Sequence, residues 1–303
     1  MKKIYLLSCL LSLAACSKDE INSPNGSDNE SVEVKFQTNL GEYGDIVASR
    51  ISGNKFSEGD QIAIYASGTG EIPFAGKKTF TSDVDGVLSA GNVFYKSTET
   101  VNFSAFYPAS LFGEDGAAKP ETVELNLNTD ETTGFGNVED VLYATGTGSS
   151  VSPQVSLTFN HICTKIKVAV KAPAGLNLSG AELYIKALPN GIINMNNGSV
   201  AADGTAQDIK LPLALTDDFS TNATFGEAII VPQTIGNGAD FIGLKLADGN
   251  INYGKTDKEI VLSPGHSYIF NVTVNGNILS FDIKETGWTV EGPVTIGPGA
   301  TNP

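Results

Sequence analysis

The 303-residue chain is poor in the residue types from which most catalytic and metal sites are built. It has three cysteines, two histidines, one tryptophan and a single arginine. Neither His161 nor His266 has a second histidine or a cysteine at the spacing of zinc ligands, and no Gly-x-Ser-x-Gly motif marks a hydrolase nucleophile. Beyond residue 16 the only cysteine is Cys163, which excludes a disulfide within the body of the chain. The sequence therefore predicts no catalytic residue, no metal, no cofactor and no enzyme activity.

Positive charge is scarce as well. Lys and Arg together number 19 against 34 Asp and Glu, which gives a net charge of -15 at pH 7. An acidic surface repels the phosphates of nucleic acids and the headgroups of anionic lipids. We therefore exclude nucleic acid as a partner.

Sustained helical periodicity is missing from residue 32 onward. Short apolar runs alternate there with a period of two, as in Val32, Val34 and Phe36, and they predict roughly fifteen short strands. Turn signals lie between the runs: Asp85-Gly86, Asn190-Gly191, Asp203-Gly204, Asp248-Gly249 and Asn275-Gly276. Because one sandwich holds about seven to nine strands, we predict an all-β fold of two β-sandwich domains in tandem. The Gly- and Ser-rich stretch 146–153 is the predicted linker, which divides the body into domains 32–150 and 151–303.

The N-terminus has the pattern of a bacterial lipoprotein signal at residues 1–15. Two lysines precede an apolar run that is too short to span a bilayer. The run ends in Leu13-Ala14-Ala15-Cys16, which resembles the lipobox, where the signal is removed and the cysteine is acylated. We predict a lipid-modified (palmitate-bearing) Cys16, a flexible tether at 16–31 and attachment to the outer membrane. The alternative is an ordinary secretory signal with an incidental cysteine.

The acidic motifs predict structure rather than chemistry. Asp83-Val84-Asp85-Gly86 resembles a fragment of a calcium loop, but the rest of the loop is absent, so it predicts a β-turn. Adjacent carboxylates on a strand or turn point apart, so they do not form the facing pair of a glycosidase. Such pairs occur at Glu114-Asp115, Glu139-Asp140 and Asp217-Asp218.

Five blocks, in their order along the chain, resemble the fimbrillin family of surface lipoproteins. The first, Phe56 to Tyr65, is similar to the family's aromatic-x-x-Gly-Asp-x-Ile-x-x-Tyr pattern, with Phe56 where the family often has tryptophan. The later blocks are Val101 to Pro108, Asp140 to Ala144, Leu157 to Ile166 with its Phe-x-His-x-x-x-Lys spacing, and Ile283 to Trp288.

The resemblance implies two transthyretin-like β-sandwich domains and a role in type V fimbriae, with cell adhesion as the outcome. In many family members an Arg-specific protease removes the N-terminal segment with its first strand, and a strand from another subunit then fills the groove. Arg50 is the only arginine and lies among glycines and serines, so the expected cut separates Arg50 from Ile51 and releases residues up to 50. A surface arginine without this role is the alternative.

The resemblance also implies partners and locations. We expect other fimbrial subunits and an Arg-specific protease as partners. A host glycan or protein receptor is a further expected class. The lipid-anchored precursor belongs at the outer membrane and cell surface, and the mature protein in a fimbria. Residues 288–303 are the candidate donor strand, and their shortness leaves stalk, tip and anchor roles open.

Two other functions compete with this one. A non-polymerising surface lipoprotein would bind glycan or a host protein through exposed aromatic residues. The candidates for that surface are Tyr65, Phe74, Phe106, Tyr107, Phe112 and Phe135. A hydrolase would need a carboxylate pair or a triad in a cleft.

Overall fold

The computed structural model describes residues 31–41, 56–127, 140–173, 175–176, 178, 180–211, 223–246, 249–275 and 278–287. Within these ranges the chain forms twenty β-strands and one short 3-10 helix at Ala109–Phe112. The predicted all-β fold class is confirmed. No helix in the described ranges is long and apolar enough to cross a membrane.

The first part of the chain forms a closed barrel. The strands of this part of the chain are β1 (Lys35–Leu40), β2 (Gln61–Gly68), β3 (Lys77–Ser82), β4 (Val87–Ser89), β5 (Val101–Tyr107), β6 (Thr122–Asn126), β7 (Leu142–Gly148) and β8 (Gln154–His161). All but β6 join the barrel, in the order β1-β4-β3-β2-β5-β7-β8. The ring closes at β1, which pairs in parallel with β8 and antiparallel with β4.

The stretch predicted as a linker lies inside this barrel. β7 and β8 pair as an antiparallel hairpin, and a bridge between Ser149 and Ser152 closes its turn. Glycine is required at Gly146 and Gly148 because a Cβ on either would lie 2.7 Å from the Val155 side chain. The linker prediction for 146–153 is therefore wrong, and the predicted domain limit at 150/151 falls within a hairpin.

Most of the later strands build a two-layer sandwich around a second core. The strands after the barrel are β9 (Thr164–Lys171), β10 (Glu182–Ala187), β11 (Asn190–Asn194), β12 (Val200–Asp203), β13 (Gln207–Leu211), β14 (Ala223–Ile230), β15 (Gln233–Ile235), β16 (Asp240–Lys245), β17 (Ile251–Lys255), β18 (Ile260–Leu262), β19 (His266–Asn275) and β20 (Ile278–Gly287). The two layers have the orders β13-β10-β16-β17 and β14-β9-β19-β20, and β15 pairs with β18. Phe241 and Phe270 meet edge to face in this core, with ring centroids 5.1 Å apart.

The first core also takes residues from the later half of the chain. β6 pairs with β11, and β11 pairs with β12. This sheet buries Ile193 and Met195 in the same core as the barrel residues. Asn190-Gly191 begins β11 instead of forming the predicted turn. Residue 191 is a glycine because a Cβ there would lie within 3.0 Å of Val231, Ala201 and Val200. Glycine serves close packing here.

The turn between β11 and β12 gives a test of this packing. Gly198 has a φ of 71°, and a Cβ there would lie 2.2 Å from the Tyr143 ring of β7. We expect Gly198→Ala to lower the free energy of unfolding by about 2–4 kcal/mol, since it adds a clash to the unfavourable φ. Gly204→Ala is the control, because its φ is also positive but its nearest neighbour lies 3.9 Å away. Urea unfolding of both variants measures the difference, and equal losses would contradict the contact with Tyr143.

Candidate functional site

β1 is the strand on which closure of the barrel depends. Its inward side chains Phe36, Thr38 and Leu40, and that of Val34 directly before it, are between 1% and 8% exposed. They alternate with residues that are exposed or half-buried. The sequence pattern predicted an amphipathic strand from Val32 to Phe36, whereas in the structure β1 begins at Lys35 and continues to Leu40. Thr38 was missed because a threonine gives no apolar signal.

Phe36 is the deepest anchor of β1. Its ring centroid lies 4.9 Å from that of Phe80 and 5.0 Å from that of Phe103, both edge to face. Burial of an aromatic side chain among other rings is among the largest single contributions to a core. The barrel interior is therefore built around a ring that β1 supplies.

Thr38 makes a buried polar side-chain contact from β1. Its Oγ1 donates to the carbonyl of Gly86 at 2.7 Å, and its N–H reaches the same oxygen at 3.3 Å. The side chain is 1% exposed. An aliphatic residue here would leave the Gly86 carbonyl with only the longer of the two bonds.

The two sides of β1 are held unequally. Toward β8 the parallel register is continuous from Lys35–Gln154 to Leu40–Phe159. Toward β4 it comprises only Phe36–Leu88 and Gln37–Val87. Upstream, Val34 N–H donates to the Val93 carbonyl and Tyr95 N–H to the Val32 carbonyl, both at 2.8 Å. The β4 side is thus the weaker seam.

A surface pocket of about 430 Å³ lies along that weaker seam. It reaches the apolar side chains of Phe36, Phe80 and Leu88. Near the start of β1, Tyr95 donates from its hydroxyl to the Pro153 carbonyl at 3.3 Å, and burial raises the pKa of Tyr95 to about 12. The pocket therefore opens part of the weaker seam to solvent.

This arrangement can bind an extended chain. Without β1, β8 and β4 would present unpaired backbone groups on either side of an apolar groove. Such an edge pairs readily with another strand, and pockets for alternate side chains supply specificity. We define the groove of β1 as the space between β8 and β4 that β1 occupies.

The predicted modification sites lie outside the described residues. These are Cys16, Arg50 and Ile51, together with the tether 16–31 and the candidate donor segment 288–303. The predicted turn at Asp83–Gly86 is confirmed: the Asp83 carboxylate accepts the N–H of Asp85 at 2.8 Å and that of Val87 at 2.9 Å. These bonds are internal to the turn.

His161, Asp140 and Cys163, whose side chains are of types that can act in catalysis, are buried. His161 Nδ1 lies 2.6 Å from Asp140 Oδ2, and both side chains are buried. Cys163 is a free, fully buried thiol whose pKa is raised by burial and by the nearby Asp140 carboxylate. Within the described part of the chain, no group of His, Cys, Asp and Glu could hold a metal ion.

The aromatic residues proposed for an adhesive surface do not form one in the described ranges. Tyr65, Phe106, Tyr107 and Phe112 are at most 9% exposed, because they pack inward in and beside β2 and β5. Phe74 is half-buried against the same core, and Phe135 lies outside the described residues. The four buried rings are therefore removed from the candidates for an adhesive surface.

The fold is all-β, with a closed barrel followed by packed sheets. Residues 49–288 match the fimbrillin-like family, so the chain belongs to that family. This confirms the resemblance inferred from the sequence blocks, and it supports a fimbrial or adhesive role. The family and the structural neighbours are described by fimbrial or adhesion roles, not by catalysis. No curated protein matches the sequence significantly.

Solved structures share the fold at low sequence identity. A candidate cell adhesion protein from Bacteroides ovatus has a TM-score of 0.66 and 18% identity, over 86% of this chain and 99% of its own. A second, from Bacteroides uniformis, has a TM-score of 0.62 and 18% identity over 88% and 100%. A candidate polysaccharide-binding protein from Bacteroides thetaiotaomicron has a TM-score of 0.51 and 12% identity over 85% and 96%.

The weight that Phe36 carries can be measured directly. We expect Phe36→Ala to lower the free energy of unfolding by about 3–5 kcal/mol, since it leaves a cavity between Phe80 and Phe103. The outward neighbour Gln37 is the control, and Gln37→Ala is expected to change stability by less than about 0.5 kcal/mol. Chemical denaturation of the full chain gives both values. A small loss for Phe36→Ala would mean that β1 adds little to the core.

Proposed function

We propose that this chain is a stalk, tip or accessory subunit of a type V-like fimbria that assembles by exchange of β1. The observation that carries the proposal is the closure of the barrel by one N-terminal strand. β1 lies between β8 and β4, and residues 41–55 are the covalent connection between β1 and the later strands of the barrel. A single cut in that connection separates the strand from the barrel that it completes.

The position of Arg50 supports proteolysis as the trigger. It follows the end of β1 at Leu40 and precedes the next described residue, Phe56. Cleavage between Arg50 and Ile51 would leave every described strand intact. The released segment would carry the lipid, the tether 16–31 and β1 together, so the same cut would free the subunit from the membrane and open its groove.

Lipidation at Cys16 supplies the other half of the proposal. Acyl chains on this cysteine would hold the precursor at the outer membrane, at the cell surface, until cleavage. The proposed partners are other fimbrial subunits and an Arg-specific protease, with a host glycan or protein as receptor. Neither catalysis nor nucleic-acid binding is part of the role.

Limited proteolysis tests the trigger. We expect an Arg-specific protease to cut the protein that begins at Ser17 once, giving a new N-terminus at Ile51. Arg50→Lys keeps the charge and removes the target, so this control should stay intact. N-terminal sequencing and a detergent gel provide the measurement. A detergent-resistant ladder after cleavage would identify a stalk subunit, and a monomer would identify a subunit that needs a separate donor. Resistance of Arg50 in the folded protein would contradict the proposed processing.

Metabolic labelling tests the anchor. In a bacterium that processes lipoproteins, we expect an alkyne-tagged palmitate to label the wild-type protein and the membrane fraction to retain it. Cys16→Ala should abolish the label because it removes the acylated atom, whereas Cys9→Ala should keep it. Label on the Cys16→Ala variant would contradict lipidation at this residue.

A further inference from the structure

We propose that the groove of β1 selects a replacement strand with an aromatic residue followed two positions later by a hydroxyl residue, and that residues 288–303 of this chain are not that strand. The inference rests on the proposed function, since it presumes that β1 is exchanged. It names the chemistry of the partner: an extended segment of a different subunit. We call residues 288–303 the tail.

The aromatic requirement follows from the depth of the groove at Phe36. The ring is 1% exposed and meets Phe80 and Phe103 edge to face at about 5 Å. A strand that brings an aliphatic side chain to this place leaves part of the space unfilled. In a packed core, such a void is costly because the surrounding rings lose their contacts.

The hydroxyl requirement follows from Thr38. Its Oγ1 donates to the Gly86 carbonyl at 2.7 Å in a site that is closed to solvent. Valine has the same shape without the donor, so it would fill the site but lose the bond. This position therefore distinguishes strands that have equal apolar content.

The backbone sets a third condition. Lys35 donates its N–H to the Pro153 carbonyl at 3.1 Å, and Gly41 donates its N–H to the Phe159 carbonyl at 2.8 Å, so the N–H groups of odd-numbered residues point toward β8. The N–H groups of even-numbered residues point toward the opposite side of the groove, where Thr38 donates to the Gly86 carbonyl. A proline at any position from 35 to 39 would remove the N–H of a residue that is paired with β8, β4 or both.

The tail does not meet these conditions. Its large apolar residues with even numbers are Trp288, Val290, Val294 and Ile296, and its first two prolines are Pro293 and Pro298. We consider the registers that turn the even-numbered residues inward and leave β20 paired. In each of them no aromatic residue reaches the place of Phe36, and a proline falls at one of positions 35–39.

The one register that brings an aromatic into place has a separate cost. Setting Trp288 at the position of Phe36 would draw Thr286 and Gly287 into the groove. These residues end β20, where they pair with Ser267 and His266 of β19. The register would therefore unpair the end of β20, and it would place a larger ring in a space that fits the Phe36 side chain.

A peptide-exchange experiment tests the inference. The full protein is cut at Arg50 with the released fragment left in place, and labelled peptides are added in excess, with uncut protein as the background control. The β1 peptide of residues 32–41 is expected to be incorporated. The tail peptide of residues 288–298 should be incorporated at least about 100-fold less well, given a mismatched aromatic site and a lost backbone bond.

Matched variants separate the three conditions. Phe36→Val and Thr38→Val in the β1 peptide should each weaken incorporation, the first by about 10-fold or more and the second by about 5-fold. A tail peptide carrying Pro293→Lys, Val294→Phe and Ile296→Thr meets all three conditions in the register that aligns residue 294 with 36. We expect it to recover most of the incorporation.

The outcomes distinguish the inference from the function beneath it. Incorporation of neither the β1 peptide nor the redesigned tail would overturn strand exchange itself. Equal incorporation of the β1 peptide and the native tail would overturn the selectivity and leave strand exchange standing. Failure of the redesigned tail, or no effect of Thr38→Val, would overturn the stated residue requirements.

Discussion

The parallel insertion of β1 between β8 and β4 is the constraint on which the barrel depends. The other six strands of the ring begin at or after residue 61 and pair with one another in a continuous row from β4 to β8. β1 alone joins two edges that would otherwise stay open, and it fills the interior with Phe36. One short segment thus satisfies backbone edges and core packing together, so its loss affects both.

Some strands pack one face on the first core and the other face on the second core. In β14, Ile229 belongs to the barrel core, while Ala228 and Ile230 belong to the sandwich core. The sheet of β6, β11 and β12 likewise brings residues from beyond position 190 into the first core. Residues that are neighbours in the sequence therefore do not always belong to the same core.

Local alternation was enough to predict the fold class and the amphipathic character of β1, because period-two burial is a property of a single strand. The burial of Val155, Leu157 and Phe159 in β8 follows the same rule. The errors arose where distant parts of the chain decide. Gly146, Gly148 and Gly191 were interpreted as signs of a linker or a turn, but the structure needs them for close packing against Val155 and Val231. Tyr65, Phe106, Tyr107 and Phe112 stayed candidates for an adhesive surface because sequence alone does not show which face of a strand is covered.

The register of β1 also bears on the order in which the molecule is made. Lys35 pairs with Gln154, so the first strand to leave the ribosome must wait for the last strand of its own barrel. Pairings between residues so far apart in sequence form late, since the entropy of loop closure is lost before the contacts are gained. We therefore expect the nascent barrel to pass through a state in which the place of β1 is vacant. That half-open barrel is also the state to which a strand from another molecule could bind.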